Sequence, residues 1–259
     1  MRDVGIADRI RLKAAAWGAP IDVVEVDGWH TRGSEFTRRP TLAVGHHTGN
    51  PNTGWAPSLG ICTNGRGGPN PVPGPLCNGL RARKRAGRYT VFVIAAGVAN
   101  HAGKGGYAGL TGNHSAYGLE VENNGTTEAW SAEDQEIDAL ILAAMLEGSG
   151  HTGLEHKEWA PGRKPDRHHI DGNVTRALVA KYLNDQGDPD MAFEQGDKEK
   201  LNQIYDWAMA NQKLNEHQFL EKILQRLDAH IANPNTGGGA GGISRTELEA
   251  ELREEITAA

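Results

Sequence analysis

Two hydrophobic periodicities alternate along the first 185 residues of the chain. Apolar residues recur at helical spacing over residues 6–17, and the same spacing returns over residues 131–148 and 172–183. Shorter apolar or alternating runs, which are typical of β-strands, cover residues 22–26, 41–46, 78–84, 88–95 and 117–122. Strands interleaved with helices predict an α/β domain.

Turn and cap residues define the ends of several of these elements. The Ala86-Gly87 turn predicts that the runs on either side of it pair as a β-hairpin. Ser131 stands where a helix N-cap is expected, and Gly148 closes that helix. Residues 49–76 are rich in Gly, Pro and Asn and show little periodicity, which predicts a long loop. The buried face of the last helix is predicted to carry Val174, Leu178 and Tyr182.

The pattern changes after residue 187, which predicts a domain boundary. Residues 1–187 form the α/β domain, and the rest divides into a linker at 188–196, a helical segment at 197–232, a Gly-rich linker at 233–242 and a short charged helix at 243–259. The last helix is too short to be stable alone in water, so the tail must pack on something. Self-association into a homo-oligomer and targeting to a surface both remain open, and Met191 is a candidate internal translation start.

Charge and hydropathy exclude two classes of partner. The chain has a formal net charge of −6, and residues 191–259 hold 7 basic and 12 acidic side chains, which argues against nucleic acid. No run approaches the roughly 18 apolar residues of a membrane span, and no signal peptide is visible. We therefore expect a soluble cytoplasmic chain without membrane insertion. In a reducing cytosol Cys62 and Cys77 are interpreted as free thiols, with a disulfide as the alternative.

The clearest chemical pattern lies between His156 and Asp166, where Lys164 follows a Pro-Gly turn. Imidazole and carboxylate groups are ligands of zinc, and a lysine can stabilise negative charge that develops on a substrate. A second histidine pair, His46 and His47, closes an apolar run far earlier in the chain. Two distant segments that both offer imidazole predict one metal site assembled by the fold. Three protein ligands are typical of a catalytic zinc site.

Five segments carry a family pattern: residues 28–33 (GWHTRG), 46–49 (HHTG), 95–105 (AAGVANHAGKG), 118–125 (GLEVENNG) and 156–166 (HKEWAPGRKPD). In this order they resemble the zinc-dependent N-acetylmuramoyl-L-alanine amidases of the type-2 amidase and peptidoglycan-recognition superfamily. Among these, the endolysins of phages that infect actinobacteria are the most similar. The resemblance implies a central mixed β-sheet flanked by helices, with the helical C-terminal segment as an appendage.

The resemblance also implies the metal site. His46, His156 and Asp166 would bind a zinc ion (Zn²⁺), and a zinc-activated water would hydrolyse the amide between N-acetylmuramic acid and L-alanine of peptidoglycan. Some relatives have Cys in place of Asp166, and the usual Asp-Pro of the family is Asp166-Arg167 here. The neighbouring alternatives to Asp166 as a ligand are Asp171, His168 and His169.

Two catalytic roles follow by matching position to the family. Lys164 is expected to stabilise the oxyanion of the tetrahedral intermediate. Glu120 is expected to act as the general base. Glu122 lies on the same predicted strand face and competes with Glu120 for that role.

Three residues are expected to bind or border the substrate. Relatives place a Tyr-His pair at the start of the first hairpin strand, where this chain has Cys77-Asn78, so Asn78 is the candidate replacement for the tyrosine. His101 is expected to line the cleft and touch glycan or peptide, with a structural role as the alternative. His47 adjoins the metal ligand His46, and its alternative is a residue packed behind the ligands.

The resemblance implies an endolysin that lyses the host cell. Such a protein would stay in the host cytoplasm until a holin releases it to the cell wall. A peptidoglycan-recognition module that binds without cutting is the alternative from another functional class, and such modules typically lack one metal ligand. An amidase of phage entry or of bacterial wall recycling is a third interpretation.

Overall fold

The computed structural model describes residues 1–149 and 152–184, which are built around a six-stranded mixed β-sheet. Its elements are, in chain order, α1 (Ile6–Ala16), β1 (Ile21–Glu25), β2 (Leu42–His47), α2 (Leu59–Asn64), β3 (Gly65–Arg66), β4 (Val72–Pro73), β5 (Gly79–Arg81), β6 (Tyr89–Val93), β7 (Gly106–Tyr107), β8 (Leu110–Thr111), β9 (Ala116–Val121), α3 (Ala132–Leu146), β10 (Thr152–Glu155), α4 (His156–Trp159) and α5 (Gly172–Asn184). The predicted α/β class, a central mixed sheet flanked by helices, is confirmed.

The strand order of the sheet is β1-β6-β5-β9-β2-β10. β5 and β6 pair antiparallel as the predicted hairpin, with Leu80 opposite Phe92, and all other neighbours in the sheet run parallel. Every residue of β6, and every residue of β2 except His47, is buried. Continuous apolar strands of this kind are typical of a sheet that is covered on both faces.

Helix α3 forms much of that cover, because its residues are buried without interruption from Ile137 to Leu146. It packs against β2, β10 and α5. The predicted N-cap is confirmed: Ser131 accepts a hydrogen bond from the Asp134 backbone N–H, and the Asp134 side chain bonds back in a capping box.

Two local predictions were wrong. Residues 49–76 are not a continuous loop, since they contain α2 and the antiparallel pair β3–β4. The buried face of α5 was also wrong in part: Val174 is 42% exposed while Thr175 and Val179 are buried, and only Tyr182 is buried as predicted. Val179 lies over Gly153 of β10, where an added Cβ would come within 2.7 Å of its Cγ2.

The tail lies outside the described residues. This applies to the predicted boundary at residue 187, both linkers, the helical segment at 197–232, the short helix at 243–259 and the candidate start at Met191. Within residues 1–149 and 152–184, no helix is long and apolar enough to cross a membrane.

Candidate active site

Three side chains predicted as metal ligands meet at one end of the sheet. His46 lies near the end of β2, and His156 begins α4 directly after β10. These two strands are parallel neighbours in which Gly45 and Glu155 are paired, so the two histidines follow at matching positions. Asp166 joins them from the turn after α4, where its carbonyl accepts a hydrogen bond from the Lys157 backbone N–H.

The donor atoms of these residues are close together and shielded from solvent. His46 Nδ1 lies 2.8 Å from His156 Nδ1 and 3.3 Å from Asp166 Oδ2, and His156 Nδ1 lies 2.7 Å from the same oxygen. All three residues are buried. Ligands of a tetrahedral zinc ion, at about 2.0–2.1 Å from the metal, lie about 3.3 Å apart. The separations in the protein are comparable with that value.

The outer ring nitrogens select the tautomers of both histidines. His156 Nε2 is 3.1 Å from the Ala102 carbonyl, which can only accept, so this nitrogen carries the proton. His101 Nε2 likewise donates to the Ala116 carbonyl at 3.1 Å, which leaves His101 Nδ1 to accept from His46 Nε2 at 3.0 Å. In neutral His46 and His156, both Nδ1 atoms therefore present lone pairs to each other and to the Asp166 carboxylate. That arrangement fits a metal cation, because only a cation can offset the repulsion among three donors.

The electrostatics of these groups agree with this interpretation. Burial, together with the neighbouring imidazole, lowers the pKa of His46 to about 4, although Asp166 opposes the shift. Burial also lowers the pKa of His101 well below its usual range. Burial alone would raise the pKa of Asp166, but a proton on Nδ1 of His156 or His46 would donate to the carboxylate and its charge would more than offset burial, so this carboxylate favours a positive charge beside it. At neutral pH, His46 is thus an uncharged ligand and Asp166 is an ionised one.

Glu120 and Glu122, which were predicted to share a strand face, differ sharply: Glu120 lies in β9, and Glu122 follows its last residue, Val121. The Glu122 carboxylate accepts hydrogen bonds from the Ser58 backbone N–H at 2.7 Å and from the hydroxyls of Ser58 and Thr48 at 3.0 Å each. Glu120 pairs with His46 in the β2–β9 register, and its buried Oε2 has no hydrogen-bond partner among the described residues. Burial, followed by the charge of Asp166, raises the pKa of Glu120 to about 8, although Lys164 opposes the shift. Of the two, only Glu120 has a carboxyl oxygen available for proton transfer.

Lys164 lies in the turn that carries Asp166 and is partly buried. Its backbone N–H donates to the Ala160 carbonyl at 3.1 Å, which ties the turn to the end of α4. Its positive charge lowers the pKa of both His46 and Glu120. The structure therefore brings this cation into the electrostatic environment of the predicted ligands and the predicted base.

His101 was expected at the substrate cleft, with a structural role as the alternative. The structure places it in the interior, 8% exposed, with both ring nitrogens bonded to His46 and to the Ala116 carbonyl. Gly118 makes room for the ring, since a Cβ there would lie 2.5 Å from His101 Cγ. Its contacts support the alternative, in which His101 orients His46.

Asn78, the candidate substrate contact, lies in the interior of the domain. Asn78 is fully buried, and its side-chain amide donates to the carbonyls of Ala95 and Gly97 at 2.9 and 2.8 Å. Its side-chain oxygen accepts from the Gly118 backbone N–H at 3.0 Å. These bonds join the hairpin to β9, so no polar atom of Asn78 is available to replace a tyrosine hydroxyl.

The remaining candidates lie outside the ligand cluster. His47 is partly buried against Gly125, where an added Cβ would come within 2.3 Å of its Nε2, and burial lowers its pKa. The alternatives to Asp166 are all exposed, and Asp171 instead accepts from the Asn173 backbone N–H as α5 begins. The three exposed residues are Asp171, His168 and His169.

The two cysteines are buried thiols in one hydrophobic cluster that includes Leu80 and Phe92. Burial, followed by the neighbouring Cys62 thiol, raises the pKa of Cys77 well above its usual range. Since the thiolate is the form that binds metals, a thiol that keeps its proton is a poor ligand.

Some residues that support the site belong to no recognisable sequence motif and were not predicted. The Ala102 carbonyl accepts from Arg163 Nη2 at 3.1 Å as well as from His156. Arg167 and Glu155, each adjacent to a predicted ligand, form a buried ion pair. In the sequence, each of these two residues is only a charged residue beside a predicted ligand. That position does not indicate which residue it pairs with.

Comparison with known proteins places these residues in a family. A family model described as N-acetylmuramoyl-L-alanine amidase matches residues 36–169, more than half of the 259 residues. The matched segment contains all three predicted ligands, Glu120 and Lys164. No curated protein matches the chain.

The chain is also similar to solved structures. A selenomethionine derivative of AmpD is 22% identical, with 64% of this chain and 97% of that chain covered and a TM-score of 0.45. The endolysin N-acetylmuramoyl-L-alanine amidase LysCS from Clostridium intestinale is 17% identical, with coverages of 61% and 95% and a TM-score of 0.44. The solution structure of Citrobacter freundii AmpD is 22% identical, with coverages of 63% and 92% and a TM-score of 0.40.

Proposed function

The chain belongs to the N-acetylmuramoyl-L-alanine amidase family, and on this basis we propose that it is a zinc-dependent endolysin. Its reaction is hydrolysis of the amide that joins the lactyl group of N-acetylmuramic acid to the L-alanine of the peptidoglycan stem peptide. The ligands are His46, His156 and Asp166.

The observation that carries this proposal is the convergence of three donor atoms within 4.8 Å of one another. The outer nitrogens of both histidines are bonded elsewhere, so in the neutral rings the inner nitrogens carry lone pairs. Two imidazoles and a carboxylate are a donor set that suits zinc, and three protein ligands leave a position for water. When bound, zinc supplies a Lewis acid for the scissile carbonyl and lowers the pKa of a water molecule.

Glu120 is the proton-transfer residue in this proposal. Its Oε2 takes the proton of the attacking water as the oxygen–carbon bond forms, and returns it to the L-alanine nitrogen as the carbon–nitrogen bond breaks. Burial raises the pKa of Glu120 to about 8, and a cation bound by the three ligands would lower it towards the basic form at neutral pH. Glu122 is excluded from this role by its three bonds to Ser58 and Thr48.

Lys164 stabilises the negative charge that develops on the substrate carbonyl oxygen. Its charge already acts on His46 and Glu120, which line the same site. Because the site is largely buried, a fixed cation there interacts more strongly with a developing oxyanion than it would in water.

Hydrolysis is preferred over recognition without cleavage because the full ligand set is present together with a buried, unpartnered carboxyl. The role in host lysis, with release by a holin, is supported by the five segments that resemble endolysins of actinobacterial phages. Peptidoglycan is then the partner, acted on as an insoluble polymer.

The test compares two substrates. Purified protein is incubated with insoluble actinobacterial peptidoglycan and with a soluble muramyl peptide, each with and without a zinc chelator, and the products are analysed by mass spectrometry. We expect chelator-sensitive release of L-alanine N-termini, without new reducing sugar ends, and faster cleavage of the insoluble wall. The variant His46→Ala is the inactive control.

Other outcomes would select another function. A clear preference for the soluble muramyl peptide would indicate wall recycling instead of lysis. Co-sedimentation with the wall without any cleavage would indicate a recognition module and overturn the catalytic roles.

A further inference from the structure

A group of charged side chains is buried in the described core next to the predicted ligands. We call Arg167, Glu155, Asp138 and Arg81 the buried ion cluster; none of the four is more than 3% exposed. Arg167 donates from Nε and Nη2 to the two carboxylate oxygens of Glu155, both at 2.8 Å, and from Nη1 to Asp138. Asp138, on α3, also accepts from Arg81 on β5.

Each predicted ligand has a sequence neighbour that either belongs to the buried ion cluster or lies against it. Arg167 directly follows Asp166, and Glu155 directly precedes His156. Gly45 directly precedes His46 and lies under the same guanidinium, since an added Cβ at Gly45 would come within 3.0 Å of Arg167 Nε. A single planar side chain thus contacts all three segments that deliver the donor atoms.

We propose that Arg167 is a positioning residue that fixes the Asp166 turn against β2 and β10. This inference rests on the proposed zinc site. The turn itself is largely exposed from Pro161 to Pro165, and its hydrogen bonds to Ala160 and Ala102 do not attach it to β2 or β10. The two-pronged contact with Glu155 sets both the distance and the angle of the Arg167 side chain, which a point charge cannot do.

The anchors of Arg167 are themselves held by other groups. Thr175 on α5 donates to Glu155, and Asp138 lies on the fully buried part of α3. A buried ion pair generally adds little net stability compared with apolar side chains of similar volume. Its value here is geometric, because a ligand displaced by a fraction of an ångström binds metal less tightly.

The test removes the ion pair without leaving a buried charge unpaired. In the double variant Glu155→Gln/Arg167→Met, the introduced amide can still accept from Thr175, and Asp138 keeps Arg81. Zinc affinity is measured by competition with a chelator, the coordination geometry by the absorption spectrum of the cobalt-loaded protein, and the fold by circular dichroism. We expect a native fold, zinc binding weaker by about 10–100-fold and an altered cobalt spectrum.

Two further variants make the result specific. Arg167→Lys keeps the cation but loses the two-pronged contact, and we expect several-fold weaker zinc binding. The matched control, Asp3→Asn/Arg9→Met, removes another largely buried ion pair, whose atoms lie 2.7 Å apart on α1 and the segment before it. It should lower stability and leave zinc affinity unchanged.

The outcomes separate this inference from the proposed function. Zinc affinity and a cobalt spectrum that match the wild type in both Arg167 variants would overturn the positioning role and leave the zinc site intact. Equal weakening in the Asp3/Arg9 control would also overturn it, since the effect would then reflect stability alone. Failure of the wild-type protein to bind zinc would overturn the proposed function, and the inference with it.

Discussion

The buried ion cluster and the predicted metal site are adjacent in the chain, since Arg167 follows Asp166 and Glu155 precedes His156. They differ in whether each polar group has a partner of opposite charge. In the buried ion cluster, each charge faces an opposite charge, as with Arg167 and Glu155. In the predicted metal site, His46, His156 and Asp166 turn three donors towards one another, and Glu120 keeps an unpartnered oxygen among the described residues. Charged groups that are paired with opposite charges stabilise the positions of the segments they join. Ligand atoms and carboxyl oxygens without such a partner can bind an ion or transfer a proton. Polar residue types alone do not distinguish the two.

The largest expected effect comes from removing a ligand. His46→Ala, His156→Ala and Asp166→Ala should each abolish tight zinc binding and wall hydrolysis. The loss should exceed the roughly 10–100-fold that follows when only a partner of a ligand is removed. Zinc content by elemental analysis and release of L-alanine N-termini are the two measurements.

The exposed alternative ligands provide the matched control. Asp171→Ala and His169→Ala should retain zinc and activity, because neither side chain belongs to the cluster of donors. Loss of zinc in either variant, with Asp166→Ala still metal-loaded, would show that the ligand set is wrong.

Glu120, in β9, and Glu122, just after it, should respond in opposite ways to substitution. Glu120→Gln removes the proton acceptor and should slow turnover by about 10²–10⁴-fold, with stability and zinc content retained. Glu122→Gln replaces the carboxylate that accepts hydrogen bonds from Ser58 and Thr48. It should instead lower the free energy of unfolding by about 1–3 kcal/mol. Turnover and urea unfolding are measured on both variants. A reversed pattern would assign the base to Glu122.

Lys164→Ala should have a smaller effect on turnover. Removal of a group that stabilises an oxyanion costs about 10²–10³-fold in kcat. Zinc content should stay at the wild-type level, because a lysine ammonium has no lone pair to offer a metal. Loss of zinc from this variant would make Lys164 a structural residue of the turn.

The smallest expected effect concerns the ion pair of Asp3 and Arg9, which lies outside the predicted ligand cluster. Burial alone would raise the pKa of Asp3, but the hydrogen bond and charge of Arg9, with the Tyr117 hydroxyl and Arg39, lower it below its ordinary value of 3.8. The stability that Asp3 contributes is therefore present above that value and is lost as the pH falls through the folded-state pKa. Asp3→Asn should flatten the acid dependence of unfolding free energy, by up to about 1.4 kcal/mol per pH unit, the limit for one proton.

Urea titrations between about pH 5 and pH 2 would measure this difference in slope. Parallel curves for the variant and the wild type would show that Asp3 titrates alike in the folded and unfolded states. The pairing with Arg9 would then contribute nothing to acid stability.

Local signals in the sequence predicted the fold well where local interactions decide it. Ser131 caps α3 through bonds within four residues, and the hairpin turns at a Gly. Helix α5 shows the limit of such signals. The apolar side chains of Val174 and Val179 are equally suited to burial. Val179 is the one that is buried, because Gly153 on β10 leaves space for it.

The candidate site was likewise predictable in part from the sequence. The resemblance to a family indicated His46, His156 and Asp166, which the fold brings together. It could not separate Glu120 from Glu122, because the segment carrying Ser58, which binds Glu122, is far away in sequence. Asn78 was assigned to the substrate by register, yet its partners are backbone groups that no residue pattern reveals.

The backbone carbonyls that orient the histidines have a consequence for mutational studies. Ala102 and Ala116 each supply a main-chain oxygen, which any amino acid at those positions would also supply. A substitution scan would therefore attribute effects at either position to side-chain volume and miss the acceptor. An ester in place of the amide between Ala102 and Gly103 weakens that carbonyl as an acceptor and removes the Gly103 N–H, and it leaves every side chain unchanged. Protein semisynthesis, more than genetics, can measure what it contributes to metal binding.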